Sequence, residues 1–319
     1  MGAEAGHRRI AIHRNLAITV PPARSDDLCR SLTRLKGVIG LTLHRGASLK
    51  PEGDVVVIDA LNSEMDAILK LIETTEKDGP ISVVTSEVAS IIDPERRKSV
   101  EGDSDEAIWE EMEAGLRHQS KVSINYLLLM ALGGAIAAVG LVSPPGPQTL
   151  YFVASSIIAP GLEPLAKIPL SLVMRDLSLL TGGMRSVLTG YSSLVFASAV
   201  VYWILQAAGI DGYGQLAVNH EVERISHPTA MELIVSACGA IAGMLMFSTY
   251  RRAVIAGPVV ALVVIPAAAL TGMAAAAQRW DLFGEAMQRL ALDFALIIMA
   301  GLVVFGLKQV FIHRRRALA

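Results

Sequence analysis

The sequence is short of cysteine and of the motifs that mark soluble enzymes. Its two cysteines, Cys29 and Cys238, fall in different predicted domains, so a disulfide framework is not expected. The sequence contains no HExxH, GxSxG, GxxxxGK(S/T) or CxxC motif; these are signatures of zinc proteases, serine hydrolases, P-loop proteins and redox or zinc sites. We therefore predict no enzymatic activity, no ATP-driven pumping, no cofactor and no bound metal.

Charge is also scarce, but only in the second part of the chain. Charged residues occupy 37 of the first 121 positions and 21 of the remaining 198, so the net charge of -2 conceals an acidic first segment and a basic second one. With 52% hydrophobic residues and a mean hydropathy of +0.48, the chain is too apolar for an ordinary soluble domain. This composition excludes a disordered chain, a nucleic-acid binder with a basic face and a single soluble enzyme core. It predicts a soluble domain joined to a membrane domain.

Residues 1–92 are predicted to form a small α+β domain. Apolar patterning predicts strands at 10–20, 38–44, 54–60 and 81–88 and helices at 25–36 and 63–77. Pro21-Pro22 ends the first strand and Gly37 ends the first helix. The order βαββαβ is that of a ferredoxin-like sandwich, a fold that serves ligand binding, metal binding or dimerisation. The first 14 residues lack the apolar core of a signal peptide, so we expect this domain in the cytoplasm.

A charged linker and an amphipathic helix, together residues 93–121, follow this domain. Asp103 or Ser104 is expected to cap that helix, because aspartate and serine accept hydrogen bonds from the first backbone N–H groups. Two histidines, His13 and His44, lie on predicted strands. They would form a metal site if they faced each other across the sheet, and are otherwise surface residues.

Residues 122–319 are predicted to form an α-helical integral membrane domain with about six spans. Each apolar stretch is close to the length of about 20 residues that crosses a bilayer. The stretches run approximately over 122–143, 149–174, 185–207, 229–250, 254–277 and 290–310. With the N-terminus inside, ten lysines and arginines lie at cytoplasmic ends and three, Arg224, Arg279 and Arg289, in outer connections. The positive-inside rule then predicts a multi-pass protein of the cytoplasmic (inner) membrane with both termini in the cytoplasm.

The six spans also resemble two copies of a three-span unit. The segment Gly134–Ala137 (GAIA) of the first span recurs as Gly239–Ala242 in the fourth, and Ile168-Pro169 of the second recurs as Ile265-Pro266 in the fifth. A three-span unit places its second copy in the opposite orientation, which gives the 3+3 inverted repeat of many secondary transporters. The alternative is chance similarity among helices rich in glycine, alanine and isoleucine.

Spans two and five are interrupted by proline and glycine. The interruptions are Pro160, Gly161 and Pro164 in the second span and Gly257 and Pro258 in the fifth. Proline frees backbone groups, which are tolerated at membrane depth only where protein or a water-lined cavity satisfies them. Matched interruptions in two halves point to the solute or ion site of a transporter. The alternative is a pair of packing kinks.

Two ionisable residues, Glu163 and Lys167, lie inside the second span, where such residues are rare and functional by default. Glu163 follows the interruption, near a new helix N-terminus whose dipole favours an anion. We expect Glu163 to bind a proton or cation, with Lys167 stabilising its charge or meeting an anionic substrate. The alternative is a structural ion pair, because residues four apart share a helix face. Asp293 and Glu232 are expected at the membrane interface.

The second span also carries a resemblance to a known family. The stretch Ala154–Leu165 (ASSIIAPGLEPL), followed by Arg175-Asp176, is similar to the signature of the domain-of-unknown-function 389 family. These are mainly prokaryotic hydrophobic membrane proteins, usually with a small N-terminal cytoplasmic domain. The resemblance covers roughly 118–260 best, and it departs from the family at Glu163 and Lys167, where small or apolar residues are common. It implies an integral membrane protein and supplies no established activity.

Two functions fit these features. The first is a secondary transporter or permease of a small solute or ion, with a cytoplasmic regulatory domain. The second is a non-transporting membrane sensor or scaffold whose cytoplasmic domain binds a ligand or partner. The repeat and the charged residues of span two favour transport, while the linker helix fits signalling equally. The expected partners are the lipid bilayer, further copies of the chain in a homo-oligomer and an unidentified solute or ion, but no nucleic acid.

Overall fold

The chain divides into two compact units. The computed structural model describes residues 13–76, 81–88, 90–104, 106–210, 214, 216, 219–249 and 256–313, with the backbone alone at 75–76 and 256–262. The first unit comprises Met1–Glu110 with His313–Ala319, and the second comprises Glu111–Ile312. Positions 10–12 of the first predicted strand lie outside the described residues, as do the C-terminal arginines at 314–316.

The first unit contains an antiparallel sheet of four strands with helices between them. Its elements are β1 (His13–Val20), α1 (Pro22–Thr33), β2 (Val38–Leu49), β3 (Glu52–Ala60), a 3-10 turn (Asn62–Glu64), α2 (Met65–Glu76), β4 (Ser82–Val88) and α3 (Arg97–Glu101). The strands lie in the order β2-β3-β1-β4, and each neighbouring pair is antiparallel. Strands and helices therefore follow one another along the chain as the sequence predicts.

Apolar residues at strand and helix spacing build the core of this unit. Leu16 and Ile18 of β1 are fully buried and form one cluster with Leu32 of α1 and Ile68 of α2. Alternation along β1 directs these residues to one face of the sheet. Pro22 occupies the first turn of α1. A backbone N–H at this position would have no acceptor within the helix, so the proline costs no hydrogen bond. The proline pair that ends β1 thus also starts α1.

Two side chains of this unit have partners other than those considered from the sequence. Asp103 caps a different segment from the one expected: its carboxylate accepts hydrogen bonds from the backbone N–H groups of Asn62 at 2.6 Å and Ser63 at 3.0 Å. His13 and His44 lie on strands separated by β3, so the metal site across the sheet is not formed by them. The Nδ1 atom of His13 lies 3.3 Å from the Asp103 carboxylate. These partners are distant in sequence, which is why local patterns do not reveal them.

Asp54 in β3 is a buried carboxylate that should make this unit sensitive to acid. Its Oδ2 atom accepts a hydrogen bond of 2.6 Å from the Ser25 hydroxyl, and its Oδ1 atom accepts one of 2.7 Å from the Gly46 N–H. These bonds hold the pKa of Asp54 below its ordinary value. Such a carboxyl stabilises the fold above about pH 4, the pKa of the unfolded chain, and this contribution is lost as the pH falls through the lower folded-state pKa.

We therefore expect Asp54→Asn to reduce the loss of stability that acid causes in the wild type. The measurement is the hydrogen-exchange protection factor of the β3 amides, followed between about pH 3 and pH 7. The wild type should lose protection at the acid end, and the variant should be less protected near neutral pH but change less with acid. An identical acid dependence in both proteins would contradict the role given to Asp54.

The second unit is built from helices with apolar outer faces. They follow α4 (Trp109–Gln119) and are α5 (Ile124–Leu141), α6 (Pro145–Ile158), α7 (Leu162–Met174), α8 (Leu177–Ala207), α9 (His220–Ser226), α10 (Ala230–Ser248), α11 (Ala256–Ala276) and α12 (Trp280–Phe311). Large apolar side chains lie on their surfaces: on α8, Leu188 is 71% and Phe196 is 69% exposed. Such a surface is unfavourable in water and matches the interior of a bilayer.

Four of these helices, α5, α8, α10 and α12, are long and apolar enough to cross a bilayer. The pair α6 and α7, bent by 49°, meets the same test together and makes up to five candidate spans among the described residues. Residues 263–276 of α11 form a shorter apolar helix. The helical unit therefore has the character expected of a membrane domain, with four to five candidate spans in its described part where the sequence predicts six.

Glycines bring the helices of the two predicted halves close together. A Cβ atom at Gly272 of α11 would overlap the backbone carbonyl oxygen of Val195 in α8. A Cβ atom at Gly301 of α12 would likewise overlap the ring of Pro169 in α7. Small residues permit such backbone approach where helices associate in lipid. The third long helix of each half thus packs on the second span of the other.

Candidate functional site

The second predicted span is broken at Pro160 and Gly161, as the sequence predicts. The backbone is extended at Ala159, with φ −85° and ψ 121°, because a proline disfavours the helical conformation of the residue before it. The carbonyl oxygen of Gly161 accepts a hydrogen bond of 2.9 Å from the hydroxyl of Tyr191 in α8. Pro164 is buried in the first turn of α7, where proline is tolerated.

This break lies against the fifth predicted span. The Cδ1 atom of Ile265 in α11 is 3.5 Å from the position that a Cβ of Gly161 would occupy. Ile265 precedes Pro266, a proline inside the continuous helix α11, so the break of the second span contacts the fifth span next to its inner proline. Gly257 and Pro258 lie in the first turn of α11, and their side chains lie outside what the structure describes.

Glu163 occupies the first turn of α7, directly after the break. The backbone N–H groups of Leu162 and Glu163 face its carboxylate, an arrangement favoured at a helix N-terminus. Its Oε2 atom is buried and has no hydrogen-bond partner within the described part of the chain. The phenols of Tyr126 and Tyr191 interact electrostatically with this carboxylate. The Oε2 atom of Glu163 can therefore accept a hydrogen bond or bind a cation without losing a partner among the described residues.

Lys167 is buried, and its partner is a backbone carbonyl. The ammonium donates a hydrogen bond of 3.3 Å to the carbonyl oxygen of Ser120, just after α4, and the Ser186 hydroxyl donates one of 2.6 Å to the same oxygen. A lysine that binds the last carbonyls of a helix stabilises that end. Lys167 and Glu163, both described in full, form no ion pair with each other, because the end of α4 supplies the acceptor.

A buried ion pair on α12 is the polar feature that sequence reasoning missed. The side chains of Arg289 and Asp293 are 5% and 2% exposed, and Arg289 Nε donates to Asp293 Oδ2 at 3.0 Å. Arg289 Nη2 donates to the hydroxyl of Ser236 in α10, also at 3.0 Å. Arg289, expected in an outer connection, instead lies with Asp293 inside α12, which begins at Trp280. Opposite charges four residues apart were the available signal.

Two cavities meet at this ion pair. The larger has a volume of about 400 Å³ and is lined by Arg289 of α12 and Pro266 of α11. The smaller has a volume of about 60 Å³ and is lined by Asp293. Three residues line both cavities: Val235, Ser236 and Val263. The ion pair therefore contributes its cation to the larger cavity and its anion to the smaller, while Glu163 lines neither.

The family resemblance is confirmed over the part of the chain that holds these groups. Residues 156–299 match the family described as Domain of unknown function (DUF389). Over these residues the chain belongs to the DUF389 family. The matched range contains Glu163, Lys167, Arg289 and Asp293. No curated protein and no solved structure matches the chain.

The buried polar groups of the DUF389 region form two clusters. The break cluster consists of Gly161, Glu163 and Tyr191, and the ion-pair cluster consists of Ser236, Arg289 and Asp293. Tyr191 contacts both regions, because its hydroxyl donates to the Gly161 carbonyl and its ring packs edge-on against that of Phe294, which follows Asp293 in α12. Among the residues described, no group of three or more His, Cys, Asp and Glu side chains is arranged to bind a metal. The clusters place charged and hydrogen-bonding groups among apolar helices.

Proposed function

We propose that the protein is a multi-pass permease of a small solute or ion in the cytoplasmic (inner) membrane. The observation that carries this proposal is the cavity of about 400 Å³ in the helical unit, lined by Pro266, the proline inside helix α11, and by the buried Arg289. Ionisable side chains among membrane helices are costly and mark solute or ion pathways. A cavity of this volume is also in the range of small-molecule sites.

The proposed permease has six spans arranged as a 3+3 inverted repeat. The helix α11 is 21 residues long, which suffices to cross a bilayer, and α6 with α7 forms one broken span. The reciprocal packing of α8 on α11 and of α12 on α7 supports the repeat, because a pseudo-two-fold axis generates each contact twice. Pro169 of α7 and Pro266 of α11 both lie inside helices. Both termini are then cytoplasmic, with the basic ends of the spans inside.

In the proposed mechanism the break cluster binds the coupling proton or cation. Glu163 provides the charge. The break at Pro160, Gly161 and Pro164 provides backbone groups whose hydrogen bonds would be made within the helix if the helix were continuous. Lys167 supports the site by fixing the end of α4 through the carbonyl of Ser120. Gly257 and Pro258 are proposed as the matching backbone positions in the second half.

The N-terminal unit is proposed to be a ferredoxin-like regulatory domain in the cytoplasm. The sheet order β2-β3-β1-β4 and the placing of the two helices between strands support this assignment. They are the features of a split βαβ sandwich. Such a domain would regulate the permease by binding a ligand or a partner.

A bulky side chain in the cavities tests transport directly. Val263 lines both cavities, so Val263→Trp fills them without removing a polar group. A flux screen of solutes and ions on proteoliposomes identifies what the wild type moves. We expect Val263→Trp to lower that uptake at least about tenfold, because the pathway is filled.

The matched control is Val303→Trp, at a position of α12 that is 53% exposed. It should retain uptake within about twofold, since exposed substitutions have small effects. Equal uptake by the two variants would place the pathway outside these cavities. A folded wild type that moves nothing in the screen would favour the sensor or scaffold over the permease.

A further inference from the structure

The guanidinium of Arg289 has one nitrogen for which the described residues provide no hydrogen-bond partner. Its Nε atom donates to Asp293 and its Nη2 atom donates to Ser236. Its Nη1 atom is buried, and no described residue accepts a hydrogen bond from it. A buried N–H without an acceptor loses its hydration and gains nothing in return, so such a group in a native structure requires an explanation. Because Arg289 lines the larger cavity, an acceptor bound there is the simplest partner.

The ion pair is incomplete on its other side as well. Arginine and carboxylate often pair through two parallel hydrogen bonds, whereas Arg289 and Asp293 are joined through Nε and Oδ2. The Oδ1 atom of Asp293 is buried and also lacks a partner in the part of the chain described. Buried pairs that serve stability need their remaining hydrogen bonds satisfied to offset desolvation. The pair therefore leaves a donor on Arg289, which lines the larger cavity, and an acceptor on Asp293, which lines the smaller one.

The other charged side chains of the larger cavity are bound to one another. Arg224 donates to Glu221 at 2.8 Å and to Glu232 at 2.7 Å, and Glu232 also accepts from the backbone N–H of Thr229 at 2.7 Å. Of the charged groups known to line the cavity, Arg289 is therefore the one whose buried N–H group lacks an acceptor among the described residues. The apolar part of the lining consists of Phe152, Ile225, Met231, Val235, Val263 and Pro266.

We propose that Arg289 binds the carboxylate of a small organic monoanion whose body is apolar. This proposal rests on the proposed permease and names the substrate class of its cavity. The planar guanidinium matches a carboxylate in geometry as well as in charge, and the apolar lining accommodates a hydrocarbon body. Inorganic phosphate, the other oxyanion that arginine recognises, finds few further donors in this lining.

Asp293 neutralises Arg289 while the cavity is empty. A buried cation without a counter-ion would be strongly unfavourable. When a carboxylate binds at Nη1, Asp293 becomes a neighbouring anion that competes for the same guanidinium, and this competition limits the affinity so that the substrate can leave. Ser236 holds the guanidinium from α10, and the phenol of Tyr191 interacts electrostatically with Asp293 from α8.

Binding to the full-length protein in lipid nanodiscs tests this site with three probes. They are 2-oxoisovalerate, a monocarboxylate with a branched apolar body, inorganic phosphate, and isobutyramide, a neutral amide with a similar apolar body. We expect isothermal titration calorimetry at fixed pH to show binding of 2-oxoisovalerate and not of the other two. Arg289→Gln should weaken binding at least about tenfold, and Asp293→Asn should strengthen it several-fold because the competing charge is removed.

Two further variants keep the test decisive if Arg289→Gln does not fold. The double variant Arg289→Gln/Asp293→Asn replaces the ion pair by a neutral pair of similar shape, so it should fold and should not bind 2-oxoisovalerate. Arg185→Gln changes an exposed arginine of α8 and should bind as the wild type does. Binding retained by the double variant would overturn the proposal. So would phosphate or isobutyramide binding as tightly as 2-oxoisovalerate.

Failure of this site and failure of the permease give different results. Cation flux that Val263→Trp blocks, in a protein that does not bind 2-oxoisovalerate, would retain the permease and overturn the carboxylate site. Binding of 2-oxoisovalerate that Arg289→Gln removes, in a protein that shows no flux of any solute or ion, would support the site and contradict the permease.

Discussion

Gly272→Val is expected to lower the free energy of unfolding of the helical unit by about 3 kcal/mol. The first atom of any side chain at this position would overlap the carbonyl oxygen of Val195 and the hydroxyl of Ser198 in α8. A serine hydroxyl can rotate away, but a backbone carbonyl inside a helix cannot, so α8 and α11 must separate. Close-packed helices lose their contacts along the whole interface when they separate. The measurement is unfolding of the purified protein in detergent, followed by circular dichroism.

Gly306→Val is the matched control for this prediction. Gly306 lies inside α12, and a Cβ atom there would meet no atom within 4 Å. Because valine is a somewhat better helix former than glycine, we expect a change within about 0.5 kcal/mol. Equal losses of stability in the two variants would mean that the close approach of α11 to Val195 does not limit packing.

The elements of the N-terminal unit could be predicted because their signals are local. Alternating apolar residues around Leu16 and Ile18 mark β1, and the proline pair fixes both its end and the start of α1. These signals act on the residues that carry them or on immediate neighbours. The segment that Asp103 caps could not be predicted, because the backbone N–H groups that donate to its carboxylate, at Asn62 and Ser63, are distant in sequence.

In the helical unit, too, local signals could be predicted and partners distant in sequence could not. Pro160 breaks the second span where the sequence predicts, because a proline acts on its own peptide and on the residue before it. The partner of Lys167 could not be predicted, because Ser120 is brought to it by the fold. Sequence spacing alone indicated Glu163 as the partner, since it treats α7 as an isolated helix.

The ion-pair cluster was missed for a related reason. The sixth span was placed from residue 290 onward because charge usually marks the end of a membrane helix, which left Arg289 outside. In the structure α12 begins at Trp280, and Ser236 from α10 satisfies part of the guanidinium. Whether an arginine ends a span or lies within it depends on such tertiary partners, which a hydropathy pattern does not contain.

Glu163→Gln is the second change with a large expected effect, and it should uncouple the proposed permease while leaving its fold intact. The substitution keeps the shape of the side chain and removes its charge. The first N–H groups of α7 face this position, and the Oε2 atom is buried with no partner among the residues the structure describes. A proton or cation can therefore bind this carboxylate without first breaking an ion pair, whereas the carboxylate of Asp293 is paired with Arg289.

The expected result separates coupling from binding. Uptake driven by an imposed proton or sodium gradient should fall more than about tenfold. Exchange of labelled for unlabelled substrate at equal concentrations should persist, because exchange needs no net movement of the coupling ion. The midpoint of thermal unfolding should stay within about 3 °C of the wild type, since only one polar group changes. Loss of both uptake and exchange, with a large fall in this midpoint, would indicate a structural role instead.

Electrostatics gives the reason why a coupling cation is needed. Arg289 and Asp293 are neutral as a pair, so binding a monocarboxylate adds one negative charge to a region of low dielectric constant, which is strongly unfavourable. A proton or cation taken up at Glu163 adds one positive charge and so cancels this change in charge. Glu223→Gln changes a glutamate of α9 whose side chain is 72% exposed, and it should leave gradient-driven uptake unchanged. Gradient-driven uptake that survives Glu163→Gln would remove Glu163 from the mechanism.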